Sequence, residues 1–161
     1  MNRTTTFSPC RQYRYTLWRE WGLFKSTKLD YVMFIGLNPS TADETLNDPT
    51  IRRCIGYAKS WGYRSLCMTN LFAFRATDPK VMKQQDDPVG PDNNKHLLKC
   101  AKGAGVIVAA WGLHGAFMDR GQQVRALLPE LHCLRLTKAK HPEHPLYLPA
   151  KLVPVSYDPD N

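Results

Sequence analysis

The chain has no long apolar run: none of its hydrophobic stretches approaches the roughly 20 residues that a membrane-spanning helix needs. The segment Met1-Asn-Arg-Thr-Thr-Thr lacks the apolar core of a signal peptide, so the expectation is a cytoplasmic protein. There is no Cys-x-x-Cys pair. The five cysteines, Cys10, Cys54, Cys67, Cys100 and Cys133, are spread too widely for a zinc or iron–sulfur motif, and an odd count in an intracellular chain does not suggest disulfides. At least Cys67 and Cys133 are expected to be buried core thiols. The glycines and lysine of a phosphate-binding loop are absent, and no serine, cysteine or lysine sits in a nucleophile motif. Acids are scarce, 14 against 22 Lys and Arg, which leaves a formal charge of +8 and a pI near 9.4. That excess suits a polyanionic partner such as nucleic acid. Because the cations are scattered from Arg11 to Lys140, they imply a folded basic face, not a tail.

What is present fits one domain over residues 1–161. The stretch Tyr31-Val-Met-Phe-Ile-Gly-Leu-Asn-Pro-Ser-Thr-Ala-Asp43 organises the rest. Tyr31 to Ile35 is too short for a helix and reads as a central parallel strand buried on both faces. Gly36 permits a turn or a close approach, and Pro39 stiffens the loop that follows. A strand or hairpin is expected over Tyr13–Trp21. A helix from about Asp48 to Ser60 is expected, with Asp48 as cap and Pro49 in the first turn. Further strands are expected at Ser65–Thr69, Gly105–Ala110, Leu131–Leu136 and Lys151–Val155. Further helices are expected at Lys80–Gln85, Asp92–Lys102 and Ala116–Leu128, with Gly121 weakening the last. The alternation predicts a three-layer α/β/α sandwich with a mostly parallel four-stranded central sheet.

Parallel strands bring their carboxyl ends together, so the loops at Asn38, Asn70, Trp111 and Thr137–Leu146 should converge on one site. His141, His144 and Asp43 could together offer metal ligands, but His-x-x-His on a proline-rich loop is poor ligand spacing, and neither metal nor cofactor is expected.

Gly36-Leu-Asn-Pro-Ser40, Asn70 after a hydrophobic strand, Trp111-Gly112 and His144-Pro-Leu146 together resemble the ordered motifs of the uracil-DNA glycosylase superfamily. With Tyr13-Arg-Tyr, Asp48-Pro-Thr, Asn70-Leu-Phe and His144-Pro-Leu-Tyr147, the chain also resembles, from about Tyr13 to Leu148, a family of small bacterial and phage proteins of unknown function.

The superfamily resemblance implies a hydrolase cleaving the N-glycosidic bond of a flipped uracil-like or modified base, with DNA as partner and no obligate protein partner. It implies that Asn38 orients the attacking water; from their proximity alone, Asp43 or Asp48 would supply the carboxylate that an amide cannot replace. Asn70 would read the base edge, and His144, or else His141, would stabilise the departing base. Leu146 or Tyr147 would fill the space left by the flipped nucleotide, and Phe34, Phe72 or Phe74 would form a stacking wall. Ser40 stands where some members carry a bulky tyrosine that rejects C5-substituted pyrimidines, which is compatible with a larger base. The second serine-proline of the usual His-Pro-Ser-Pro pattern is missing after His144. Flipping costs roughly a few kcal/mol. Ser40, Thr41, Arg52, Arg53, Lys138 and Lys140 are the candidates for gripping the DNA in compensation. Two other readings of the same residues are a nucleic-acid or nucleotide-binding module without turnover, and an enzyme acting on free nucleotides or nucleosides.

Overall fold

The structure is a computed structural model that describes residues 2–22, 31–128 and 130–160. Its strands are β1 (Asn2–Phe7), β2 (Arg14–Glu20), β3 (Tyr31–Gly36), β4 (Ser65–Asn70), β5 (Val106–Ala109), β6 (His132–Cys133) and β7 (Val155–Ser156). The helices are α1 (Pro49–Ser60), α2 (Pro79–Lys83), α3 (Asn93–Gly103) and α4 (Arg120–Leu127), with a 3₁₀ segment at Leu113–Asp119. No helix among the described residues is long and apolar enough to cross a membrane.

One seven-stranded sheet runs in the order β1-β2-β4-β3-β5-β6-β7. The expected mostly parallel, four-stranded sheet needs correction. Strands β4, β3, β5 and β6 run parallel to one another, but β1, β2 and β7 pair antiparallel and make the sheet mixed. The reason lies in the connections: β1 and β2 form a hairpin that needs no helical crossover, and it docks against β4.

Pleating sends alternate side chains of the central strands to opposite faces. Val32, Phe34, Leu66 and Met68 pack with Ile51, Cys54, Ile55 and Ala58 of α1. Met33, Ile35 and Cys67 pack with Leu97 and Cys100 of α3 and Val124 of α4. Each fully buried aliphatic side chain contributes about 1.5–3 kcal/mol. The helix after β3 thus covers one face and the helix after β5 covers the other, which opens a crevice between the carboxyl ends of these neighbouring strands.

Local chemistry explains α1 closely. Asp48 accepts a hydrogen bond from the Ile51 N–H at 2.8 Å, Pro49 opens the helix, and Gly62 at φ +87° ends it in the left-handed conformation. Four of the five thiols are buried, Cys67 and Cys133 among them, and Cys10 is exposed. The Cys67 thiol donates to Cys100 Sγ at 3.3 Å, and burial pushes the Cys67 pKa well up.

Candidate functional site

The crevice widens into a cavity of about 880 Å³, within the range that takes a small ligand or an extruded nucleotide. Residues Gly36–Thr41 after β3, Asn70 at the end of β4, Trp111–His114 after β5 and Arg135, Thr137, Glu143, His144 and Leu146 after β6 border it, so the four expected loops do converge.

Asn38 is held by its amide nitrogen. Its Nδ2 donates to the Ala76 carbonyl at 2.8 Å and to the Pro39 carbonyl at 3.2 Å, which leaves Oδ1 as the end able to accept. Asn70 is 2% exposed and its Nδ2 has no hydrogen-bond partner among the described residues. A buried amide hydrogen without an acceptor is costly, so a polar ligand atom in this cavity would satisfy it. Gly36 makes room for that amide, because a Cβ there would lie 2.9 Å from Asn70 Oδ1. Behind the strand end, Asn93 Nδ2 donates to the carbonyls of Asn70 and Leu71 at 2.9 Å each, and Arg120 Nε donates to Leu71 at 2.9 Å.

His144 Nδ1 accepts the Leu146 N–H at 3.2 Å, so in the neutral ring the proton sits on Nε2 as a donor. The protein packed about the ring holds its pKa below the ordinary histidine value, against an opposing pull from Asp48. His141 does not border the cavity. Its carbonyl and N–H instead close a turn with Thr137, at 2.8 and 3.1 Å.

Asp43 lies outside the lining: its Oδ1 accepts from the N–H groups of Thr45 and Leu46 at 2.8 Å, which fixes a turn and lowers its pKa. The carboxylates that do border the cavity are Asp48 and Glu143, and Glu143 is paired with Arg135.

The chain belongs to the DUF1643 family. The family described as "Protein of unknown function (DUF1643)" matches over residues 14–146, most of the chain. No curated protein and no solved structure matches it.

In this DUF1643 member the three phenylalanines do not form a stacking wall. Phe34 stacks on Trp61 at 6.0 Å, Phe72 packs on Phe117 at 5.6 Å and Phe74 meets the edge of Tyr13 at 5.8 Å, all off the lining. Phe34 sits mid-strand, where the pleat aims it into the α1 layer and not at the rim. The aromatic surfaces on the cavity are Trp111, 3% exposed, and Tyr147, 93% exposed at φ +74°. Leu146 borders the cavity beside Tyr147. Ser40 Oγ donates to Thr77 Oγ1 at 3.4 Å at the mouth, and Thr41 is an exposed neighbour.

Among the cations, Arg53 Nη2 donates to the Leu148 carbonyl and its guanidinium lies over Tyr57, so it fastens α1 to the late loop. Arg52 Nη1 donates to the Asn47 carbonyl at 2.9 Å. Arg52, Lys138 and Lys140 are exposed. Sequence reasoning missed Arg14, His114 and the Arg135–Glu143 pair, all on the lining. His114 accepts at Nδ1 from Lys83 at 3.0 Å, and burial lowers its pKa. Its position just after the strand-ending Trp111-Gly112 was the available signal.

Proposed function

We propose that the protein is a uracil-DNA glycosylase-like hydrolase that releases a uracil-like or modified base from DNA. The observation that carries the reading is the unpartnered, buried Asn70 amide on a cavity that also holds Asn38 and the neutral His144. In this reading the base turns out of the helix into the cavity, stacks against Trp111 and presents an acceptor to Asn70 Nδ2. Asn38 Oδ1 holds a water against the sugar carbon. The water oxygen forms the new bond to carbon as the glycosidic bond breaks and its electron pair leaves with the base. His144 Nε2–H donates to the oxygen on which that negative charge accumulates, and Asp48, which borders the cavity where Asp43 does not, takes the released water proton on the oxygen that Ile51 does not engage. Tyr147 projects from the rim to fill the vacated stack. The basic face provides the phosphate contacts.

The test is a panel of oligonucleotides carrying uracil, hypoxanthine, mismatched thymine or a bulky C5-modified pyrimidine, treated with alkali after incubation. Strand breaks are expected on one of these substrates and should fall by about 100-fold or more in Asn38→Ala and His144→Gln, the range a positioned catalytic donor or base supplies. Binding without breaks on any substrate would remove the hydrolase reading and leave a binding module.

A further inference from the structure

Three arginines, Arg14, Arg19 and Arg120, are buried to 2% exposure or less. Two of them serve the framework. Arg19 donates through Nε to Asn47 Oδ1 at 2.8 Å, through Nη1 to the Trp18 carbonyl at 2.9 Å and through Nη2 to the carbonyls of Asp43 and Leu46. Arg120 donates to the Leu71 carbonyl at 2.9 Å and to Asn94 Oδ1 at 2.6 Å. Neither borders the cavity.

Arg14 differs on both counts. It lines the cavity, its Nη1 donates to the Ala42 carbonyl at 2.8 Å, and its Nε is buried without a hydrogen-bond partner among the described residues. Among the described residues no carboxylate lies within ion-pair distance of it. Asp48 favours its charge from farther off, while that carboxylate is occupied in capping α1. Burial lowers the guanidinium pKa only to about 10, so it stays charged at neutral pH. A buried cation without a direct ion-pair partner is costly, and a ligand that brings the opposite charge into contact with it lowers the cost. The planar fork of a guanidinium matches an oxyanion. The orphaned Asn70 Nδ2 at the end of the neighbouring strand adds a second unused donor to the same space.

We infer that Arg14 is a specificity-determining residue that binds an oxyanion, a carboxylate or a phosphate, at the buried end of the ligand. The inference rests on the glycosylase reading only in taking this cavity as the ligand site. The oxyanion has two sources, an acidic substituent on the base or the phosphate of a mononucleotide.

Calorimetric binding to the full chain tests it with two matched pairs: 5-carboxyuracil against uracil, and deoxyuridine monophosphate against deoxyuridine. The acidic member of at least one pair should bind about 10-fold tighter or more than its neutral partner, the strength of a charge-assisted hydrogen bond. Arg14→Gln should abolish that preference and Arg14→Lys should reduce it. Arg14→Met should unfold at or above the parent temperature, since it removes a buried charge that no ion pair among the described residues offsets. Equal binding within both pairs by the wild type, or a preference that survives Arg14→Gln, would overturn the inference. So would a large loss of thermal stability in Arg14→Met, which would assign Arg14 to bracing the Ala42 loop. If Arg14→Gln does not fold, the wild-type pairs and Arg14→Lys decide the matter. Base release is read separately by strand cleavage, so acid-selective binding without abasic sites would leave Arg14's role standing and remove the glycosylase reading.

Discussion

Tyr147 combines two features that a folding chain normally avoids: a left-handed backbone at φ +74° and an aromatic ring 93% exposed to water. A non-glycine residue in that conformation costs about 1–2 kcal/mol. Strain of this kind is kept where a side chain must be held out at a given angle. Tyr147→Gly should therefore stabilise the protein by about 1 kcal/mol in urea unfolding. The same variant should release base from duplex DNA several-fold more slowly than from single strands, which need no wedge. Equal losses on both substrates would deny the ring that task. Asn38 and Asn70 were legible as candidates because each follows a buried strand. Their contrast was not legible: Asn38 has its Nδ2 tied to backbone carbonyls, the shorter bond going to Ala76, far off in sequence, whereas Asn70 Nδ2 has no partner among the described residues.

At the scale of elements, the expected helix over Ala116–Leu128 breaks in two. Phe117 is extended, Met118 and Asp119 both have φ +56°, and α4 starts only at Arg120. The cause is the Trp111 indole: a Cβ on Gly115 would lie 2.1 Å from Trp111 Cδ1, and one on Gly121 would lie 3.1 Å from Trp111 Nε1. The glycine that weakened the helical pattern is there for the ring. Gly115→Ala should cost about 1–3 kcal/mol or more and shift the tryptophan emission, as overpacking does. Gly121→Ala should be much milder, because a better helix former offsets its smaller clash. Comparable losses in the two would refute this packing account. The expected strand at Leu131–Leu136 shrinks to two residues for a related reason. After Cys133 the chain turns away, so that Leu134 enters the core against α1 and Arg135 reaches the cavity. By contrast α1 was legible almost to the residue, since its cap and opening proline are adjacent at one end and its closing glycine lies just past the other, each acting only on its own terminus.

For the molecule as a whole, the parallel core could be read from apolar runs and the antiparallel β2 from its aromatic-rich stretch, but the outer strands were less legible. Strand β1 is a polar, threonine-rich edge whose residues 3–7 are exposed or half-buried, so it carries no core signature. The strand expected over Lys151–Val155 is reduced to the short, exposed β7. Three histidines in different parts of the fold set a common pH response. His96, stacked on Tyr15 at 4.7 Å, has its pKa lowered by burial, as do His114 and His144. The unfolded chain then binds more protons than the folded one as pH falls through about 6.5, the ordinary histidine value, so stability must fall with it. The loss ends once pH lies below the folded pKa values. The urea midpoint should decrease between pH 7 and pH 5, and His96→Gln or His144→Gln should each flatten that slope. A midpoint that holds or rises over this interval would contradict the lowering of these three pKa values. The Asp43 carboxylate, lowered from its usual value by the N–H groups it accepts from, does not contribute in this window.

The distribution of thiols, one outside and four within, makes the protein its own chemical clock. An alkylating reagent should mark Cys10 at once and the other four only as fast as the sheet parts from its helices. Mass spectra taken over time should then show a single early adduct followed by a jump to five, and ligand that fills the cavity should delay the jump without touching the first step.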